Sequence, residues 1–192
     1  MAIELGADPG SKCAWRERLL AARRTVPAEI HAAQAHALAS GALSVPGDVV
    51  CAYVPFGTEP GSLTLLDALI RAGRRVLLPV TRETGPLNWA DYRGPDGLRR
   101  GPFRSREPDG ELLGPDAISW ADVIFVPALA VDRLGVRLGR GAGFYDRSLP
   151  RATGQLVAVI RDEEFVAALP AEPHDVRMTA VLTPSAGLRW LR

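Results

Sequence analysis

Residues 137–146, Arg-Leu-Gly-Arg-Gly-Ala-Gly-Phe-Tyr-Asp, bring backbone freedom, fixed positive charge and a carboxylate together in one short stretch. Gly139, Gly141 and Gly143 fall at every second position, more than a turn requires. The backbone there can approach a ligand closely and offer N–H groups to anionic oxygens. Arg137 and Arg140 add guanidinium forks suited to phosphate. Asp146 supplies a hard oxygen where Mg2+ beside a polyphosphate would keep most of its waters; it reads equally as a helix cap or a partner of Arg147. Two more carboxylates stand on loops. Glu59, in Tyr-Val-Pro-Phe-Gly-Thr-Glu, either receives paired N–H donors from a heterocycle edge or is an ordinary polar turn residue. Asp175, in Glu-Pro-His-Asp, is a second metal-side candidate or a plain loop residue, with an isolated His174 beside it. Asp132 either faces a nucleotide or shapes the turn before Gly135.

Of the 23 basic residues Lys12 is the only lysine, and it sits four before Arg16. On a helix the two project from one side, and a compact ammonium retained among so many arginines hints at a point-charge contact. No P-loop, HExxH helix or nucleophile elbow is present, so any nucleotide is held without those motifs. His31 and His36, five apart, are poorly spaced for a shared metal and read as surface or packing residues. The arginines at 93, 99, 100, 104 and 106 read as a solvated face or as contacts to a polyanionic tail.

The elements that must position these residues alternate. Residues 11–26 predict a helix capped by Ser11 with Trp15, Leu19 and Ala22 on one face. A second helix follows, with Thr25 as its cap and Pro27 in its first turn. Residues 48–54, 74–80, 86–92, 121–129, 154–160 and 179–183 read as strands. Residues 62–73, 145–149 and 162–169 read as helices, the first capped by Ser62 and stopped at Gly73. Residues 93–116, rich in Gly, Pro and Arg and without period, read as a long surface excursion. This order predicts a single α/β domain over 1–192, a mostly parallel sheet with helices on both faces and two N-terminal helices. Ligands in such sheets bind beyond the carboxyl ends of the strands, which brings the Glu59 and glycine-rich loops to one crevice.

Composition narrows the partners. With 47% apolar and 23% charged residues, a formal charge of +1 and a pI near 7.9, the 192-residue chain has no global field for nucleic acid. Small anions fit better. The longest apolar run, residues 123–131, is about half a membrane span, the N-terminus lacks secretory features, and Cys13 and Cys51 have no disulfide or zinc spacing, reading instead as two buried small residues. A soluble cytoplasmic protein, acting as a monomer, is expected.

The stretch Val-Pro-Ala-Leu-Ala-Val-Asp-Arg-Leu-Gly-Val-Arg-Leu-Gly-Arg-Gly-Ala-Gly-Phe-Tyr-Asp resembles the hallmark of the 5-formyltetrahydrofolate cyclo-ligase family. The lysine–arginine pair of the first helix, Ala-Tyr-Val-Pro-Phe-Gly-Thr-Glu, Arg-Glu-Pro and Leu-Pro-Ala-Glu-Pro-His-Asp-Val-Arg-Met extend the similarity along almost the whole chain. The resemblance implies an enzyme that uses ATP and Mg2+ to turn 5-formyltetrahydrofolate into 5,10-methenyltetrahydrofolate. The implied route phosphorylates the formyl oxygen, lets N10 attack the activated carbon and expels phosphate. It further implies ATP binding by Lys12, Arg16, Arg137, Leu138, Gly139, Arg140, Gly141, Ala142, Gly143, Phe144 and Tyr145. Lys12, Arg140 and Tyr145 would act in catalysis, Asp146 and Asp175 would serve magnesium, and Val54, Glu59, Arg140 and Phe144 would line the folate site. Phe144 stands where relatives often have Tyr, Ala142 where they have Gly or Lys, and Thr179 where another acidic residue is common. The alternatives are a non-catalytic or slow folate-binding or regulatory protein on the same scaffold, or a sugar-phosphate isomerase or transferase on a similar fold.

Overall fold

The computed structural model describes residues 10–102, 105–173 and 175–191; Arg104 and His174 lie outside them. In chain order the elements are α1 (Lys12–Arg24), α2 (Ala28–Leu43), β1 (Val49–Cys51), α3 (Leu63–Arg71), β2 (Arg75–Val80), β3 (Asn88–Asp91), β4 (Leu98–Arg100), β5 (Arg106–Pro108), β6 (Val123–Pro127), β7 (Ala130–Asp132), β8 (Arg137–Leu138), α4 (Phe144–Ser148), β9 (Gln155–Val159), β10 (Phe165–Val166), β11 (Ala180–Thr183) and β12 (Gly187–Trp190).

The main sheet has the order β12-β11-β9-β6-β1-β2-β3. Its five inner strands are parallel, and β12 and β3 close its edges in antiparallel register. Side chains two apart share a face of a strand, and this period sorts the apolar residues into two cores. Val50, Val76, Leu78, Val123, Phe125, Val157 and Leu182 meet α2 and α3 on one face. Cys51, Leu77, Ile124, Val126, Leu156, Ala158 and Val181 meet α4 and the 3-10 turn Pro115–Trp120 on the other. The second face therefore carries short helical turns where the first carries long helices. α1 lies apart from both: Trp15 and Leu19 pack with Leu129, Val136, Leu138 and Leu169 on a small sheet of order β10-β7-β8.

Several expectations change. Ala22 is exposed and its neighbour Arg23 is buried, because α1 turns that position towards Glu164. Thr25 ends α1, its hydroxyl donating to the Ala22 carbonyl, and α2 starts after Pro27 without a side-chain cap. Cys13 is exposed; Cys51 alone is buried. Residues 162–169 do not form a helix. A 3-10 turn, Asp162–Glu164, leads into β10, which pairs in parallel with β7. The acidic side chains that a helix would have turned outward are spent locally, Asp162 on Ser185 and Glu164 on Arg23 and the Arg161 N–H. Tertiary pairing overrides local propensity there. Within 93–116, β4 and β5 form an antiparallel ribbon instead of a structureless excursion.

Because β1 lies between β2 and β6, the chain leaves it in one direction and returns on the other side. This reversal opens a crevice beyond the carboxyl ends of β1 and β6. Gly135 secures the loop on the β6 side. Its φ is +80°, and a Cβ there would come within 2.5 Å of the Met178 carbonyl oxygen, so only glycine fits. Asp132 shapes that turn rather than facing a nucleotide: its Oδ1 accepts from the N–H groups of Leu134 and Val136, and its Oδ2 from that of Leu169. Among the described residues no helix is long and apolar enough to cross a membrane.

Candidate active site

The crevice is a cleft of about 310 Å³. Its walls come from the glycine-rich loop after β8, the end of β6 at Pro127, the loop after β1, Thr81 after β2 and the β4–β5 ribbon. Arg137, Gly139 to Asp146, Val54 and Glu59 all line it, so most of the residues singled out in the sequence are brought together. Lys12, Arg16, Leu138 and Asp175 do not line it. Leu138 is buried against α1, which leaves its side chain in the core.

The glycine-rich loop is fixed from behind and open in front. Arg16 Nε donates to the Gly139 carbonyl at 2.9 Å, and Arg147 reaches the Ala142 carbonyl at 3.3 Å. Among the described residues, the N–H groups of Arg140, Gly141 and Ala142 find no backbone or side-chain acceptor. Gly143 adopts φ +73° and starts α4, turning Phe144, Tyr145 and Asp146 into the cleft. Arg137 lies mostly buried between the Pro127 carbonyl, to which it donates at 3.1 Å, and Asp146, with which it pairs. The Tyr145 hydroxyl is buried with no hydrogen-bond partner. Burial first, and the charge of Glu59 second, push its pKa up, so it stays a donor across the neutral range.

Arg140 joins the two main loops. Its Nε lies 3.0 Å from Glu59 Oε1, and its guanidinium stacks 4.7 Å from the Phe56 ring centroid. Glu59 is buried, and its other oxygen accepts from the Phe56 N–H at 3.2 Å. Burial raises the Glu59 pKa even though Arg140 and that N–H lower it in part. A carboxyl whose pKa rises on folding stabilises the fold below its unfolded pKa and loses that contribution as pH rises through the folded value. Glu59→Gln keeps the acceptor for the Phe56 N–H and removes the buried charge. The variant is expected to melt at a higher temperature than the parent at neutral pH, with the gap narrowing as pH falls through the raised folded value and closed below about 4.5, the ordinary glutamate value. Thermal melts across pH 4 to 8 check this, and a gap that stays constant with pH would contradict it.

On the far side of the loop, Lys12 Nζ sits 3.1 Å from Asp175 Oδ2 and 3.4 Å from Glu172 Oε1. Asp175 also accepts from the Glu172 N–H at 2.7 Å. Among the described residues no three His, Cys, Asp or Glu side chains gather to cage a metal. Mg2+ needs no such cage, since it binds through one or two carboxylates plus phosphate oxygens and waters. Asp146, half-exposed at the cleft, fits such a role. Thr179 spends its hydroxyl on the Leu156 backbone, between β9 and β11, and takes no part in the cleft.

Sequence reasoning missed Phe56, Thr81, Glu107 and Arg23, all of which line the cleft, as does Arg106 of the arginine cluster read from the sequence. Arg-Glu-Pro at 106–108 was the one available signal for Glu107. Arg23 had none, since it reads as one more arginine in a basic helix end.

Fold and site together define an α/β protein whose glycine-rich loop and buried Glu59 face each other across a cleft at the switch point of its sheet. The chain belongs to the 5-formyltetrahydrofolate cyclo-ligase family, whose model matches residues 9–184. A 5-formyltetrahydrofolate cyclo-ligase of Mycolicibacterium smegmatis is 52% identical over 194 residues, covering 96% of this chain and 100% of that protein. One from Escherichia coli K12 is 34% identical over 151 residues, covering 76% of this chain and 83% of its own length. The solved structure of Aquifex aeolicus 5,10-methenyltetrahydrofolate synthetase superposes with a TM-score of 0.80 at 29% identity, covering 94% of this chain and 93% of that one. A Mycoplasma pneumoniae synthetase, 17% identical with a TM-score of 0.71 over 89% of this chain and 97% of its own, shares the fold.

Proposed function

We propose that the chain is an ATP- and Mg2+-dependent 5-formyltetrahydrofolate cyclo-ligase that forms 5,10-methenyltetrahydrofolate and releases ADP and phosphate. The observation that carries this reading is Arg140, which belongs to the phosphate loop and pairs with the buried Glu59 of the opposite loop. One cation thus stands between the two substrates.

The chemistry needs little else. A formamide oxygen is a poor leaving group, so the γ-phosphoryl group of ATP passes to it and ADP leaves. N10 then adds to the activated carbon and loses its proton, and the C–O bond breaks to free inorganic phosphate. Positioning and charge neutralisation dominate such a transfer. The free N–H groups of residues 140–142 cradle phosphate oxygens, and Arg16 holds the loop that presents them. Arg140 and Lys12 neutralise charge on the moving phosphoryl group, Lys12 leaving Asp175 as it does so. The Tyr145 O–H, sealed in the free protein, donates to the reacting oxygen once its ring turns further into the cleft. Val54, Phe56 and Phe144 sandwich the pterin ring. When bound, Mg2+ neutralises the β- and γ-phosphate oxygens; Asp146 would hold it once released from Arg137, with Asp175 joining after Lys12 moves away. No covalent nucleophile is required.

The deciding experiment mixes purified protein with 5-formyltetrahydrofolate and Mg-ATP and follows methenyltetrahydrofolate in the near ultraviolet. An ATP-dependent rise of absorbance is expected, with none when ATP or Mg2+ is omitted. Tight binding of the formylfolate without turnover would favour a binding protein on this scaffold instead, and neither binding nor turnover would overturn the proposal.

A further inference from the structure

Two buried carboxylates face this cleft, and their surroundings differ. Both oxygens of Glu59 are engaged within the protein, one by Arg140 Nε at 3.0 Å and the other by the Phe56 N–H at 3.2 Å. Glu107 is 4% exposed, yet it has a single hydrogen bond, from the Thr81 N–H to Oε1 at 3.0 Å. Among the described residues no Lys or Arg pairs with it. Its second oxygen is not among the sealed polar atoms and belongs to the wall of the cleft. A buried carboxylate with so little compensation is costly unless a ligand supplies donors.

Its place along the sheet says which donors. The cleft runs over the ends of β6, β1 and β2 in that order: the glycine-rich loop after β8, held beside the end of β6 by the Arg137 contact with the Pro127 carbonyl, Val54 to Glu59 after β1, and Thr81 after β2 with the β4–β5 ribbon beside it. Thr81, whose N–H holds Glu107, thus stands at the end of the strand two spacings, about 10 Å, from β6 on the side of the glycine-rich loop. Tyr53, Val54, Phe56 and Leu87 give the space between them largely apolar walls. A two-ring heterocycle that presents its N5 substituent to the phosphate loop directs the far edge of its pyrimidine ring at the other end. That edge carries an amino group and a ring N–H, two parallel donors of the kind that a carboxylate accepts in pairs.

We propose that Glu107 is the specificity-determining acceptor for the 2-amino-4-oxopyrimidine edge of the substrate, an inference that rests on the formylfolate reading above. Glu59 then serves chiefly to hold Arg140 between the substrates. The ribbon β4–β5 is the reading element: Gly101, at the mouth of its turn, lies so close that a Cβ would come within 2.5 Å of Glu107 Cδ, which fixes the carboxylate's direction.

The test measures binding of 5-formyltetrahydrofolate without ATP, by calorimetry, to the parent protein and to Glu107→Gln. The amide oxygen keeps the Thr81 contact and turns an NH2 donor towards the ligand's donors. The Kd is expected to rise about 10- to 100-fold, with the ATP KM nearly unchanged and the melting temperature no lower than the parent's. The same ligand lacking its 2-amino group should bind the parent correspondingly more weakly and should discriminate little between parent and variant. Full affinity of the parent for the 2-desamino ligand overturns the inference, as does an equal loss for both ligands in the variant. Because the parent's affinity for the two ligands decides the matter on its own, a variant that folded poorly would not protect the idea. A parent that turns over formylfolate while ignoring the amino group defeats this inference and leaves the proposed function standing; a parent that binds neither ligand defeats both.

Discussion

Replacing Arg140 by alanine is expected to lower kcat about 10²- to 10³-fold, the usual cost of removing one donor aimed at developing transition-state charge. The larger share should fall on kcat rather than on the KM for ATP, because neighbouring N–H groups and Arg137 still bind the ground-state phosphates. Folding should be little affected: the Arg140 side chain is 35% exposed, and Glu59, already raised in pKa by burial, can take up a proton when its partner is removed. Arg140→Lys keeps a charge but loses the planar face that stacks on Phe56 and the Nε donor that meets Glu59. Its kcat should lie between those of the parent and the alanine variant. Steady-state kinetics in both substrates decide the case, and an unchanged kcat in Arg140→Ala would remove Arg140 from the reaction.

What the chain reveals before folding follows the range of the forces involved. The inner strands are legible because Val49–Cys51, Arg75–Val80 and Val123–Pro127 are apolar runs bounded by turn residues, and burial on both faces leaves no polar alternation to confuse them. Strands β7, β8 and β10 are two or three residues long and exist only because their partners are present. Nothing local distinguishes Phe165–Val166 from the start of a helix. The phosphate loop is legible because glycine spacing is a backbone requirement. The meeting of Arg140 with Glu59 is not, since it depends on β1 and β6 being neighbours. The β4–β5 ribbon illustrates the same limit: Gly- and Pro-rich sequence marks turns correctly and conceals that the strands between them form a wall of the cleft.

Arg23 and Glu164 carry the largest stability prediction. Arg23 Nε donates to Glu164 Oε1 at 2.6 Å, and Nη2 donates both to Oε2 at 2.8 Å and to the Ala128 carbonyl at 2.6 Å. Both side chains are almost wholly buried. Burial alone would lower the arginine pKa, but the hydrogen bond and charge of Glu164 outweigh it and raise it. Removing one member leaves the other as an unpaired buried charge, a loss of about 3 to 5 kcal/mol. For a chain of this size Arg23→Ala should therefore lower Tm by roughly 6 to 20 °C. The double variant Arg23→Met/Glu164→Gln removes both charges while retaining the acceptor for the Arg161 N–H, and should recover more than half of that loss. Calorimetric melts of the singles and the double check the sign of the coupling; a single variant within about 1 kcal/mol of the parent would mean that the pair is dispensable. The kinetic consequence separates stability from function. Arg23 ends the helix that carries Arg16 to the Gly139 carbonyl and Lys12 to Asp175, and it also ties that helix to Ala128 beside the cleft. If the double variant regains Tm but keeps a raised KM for ATP, the buried pair sets the register of α1 against the phosphate loop. Recovery of both would make its role purely structural.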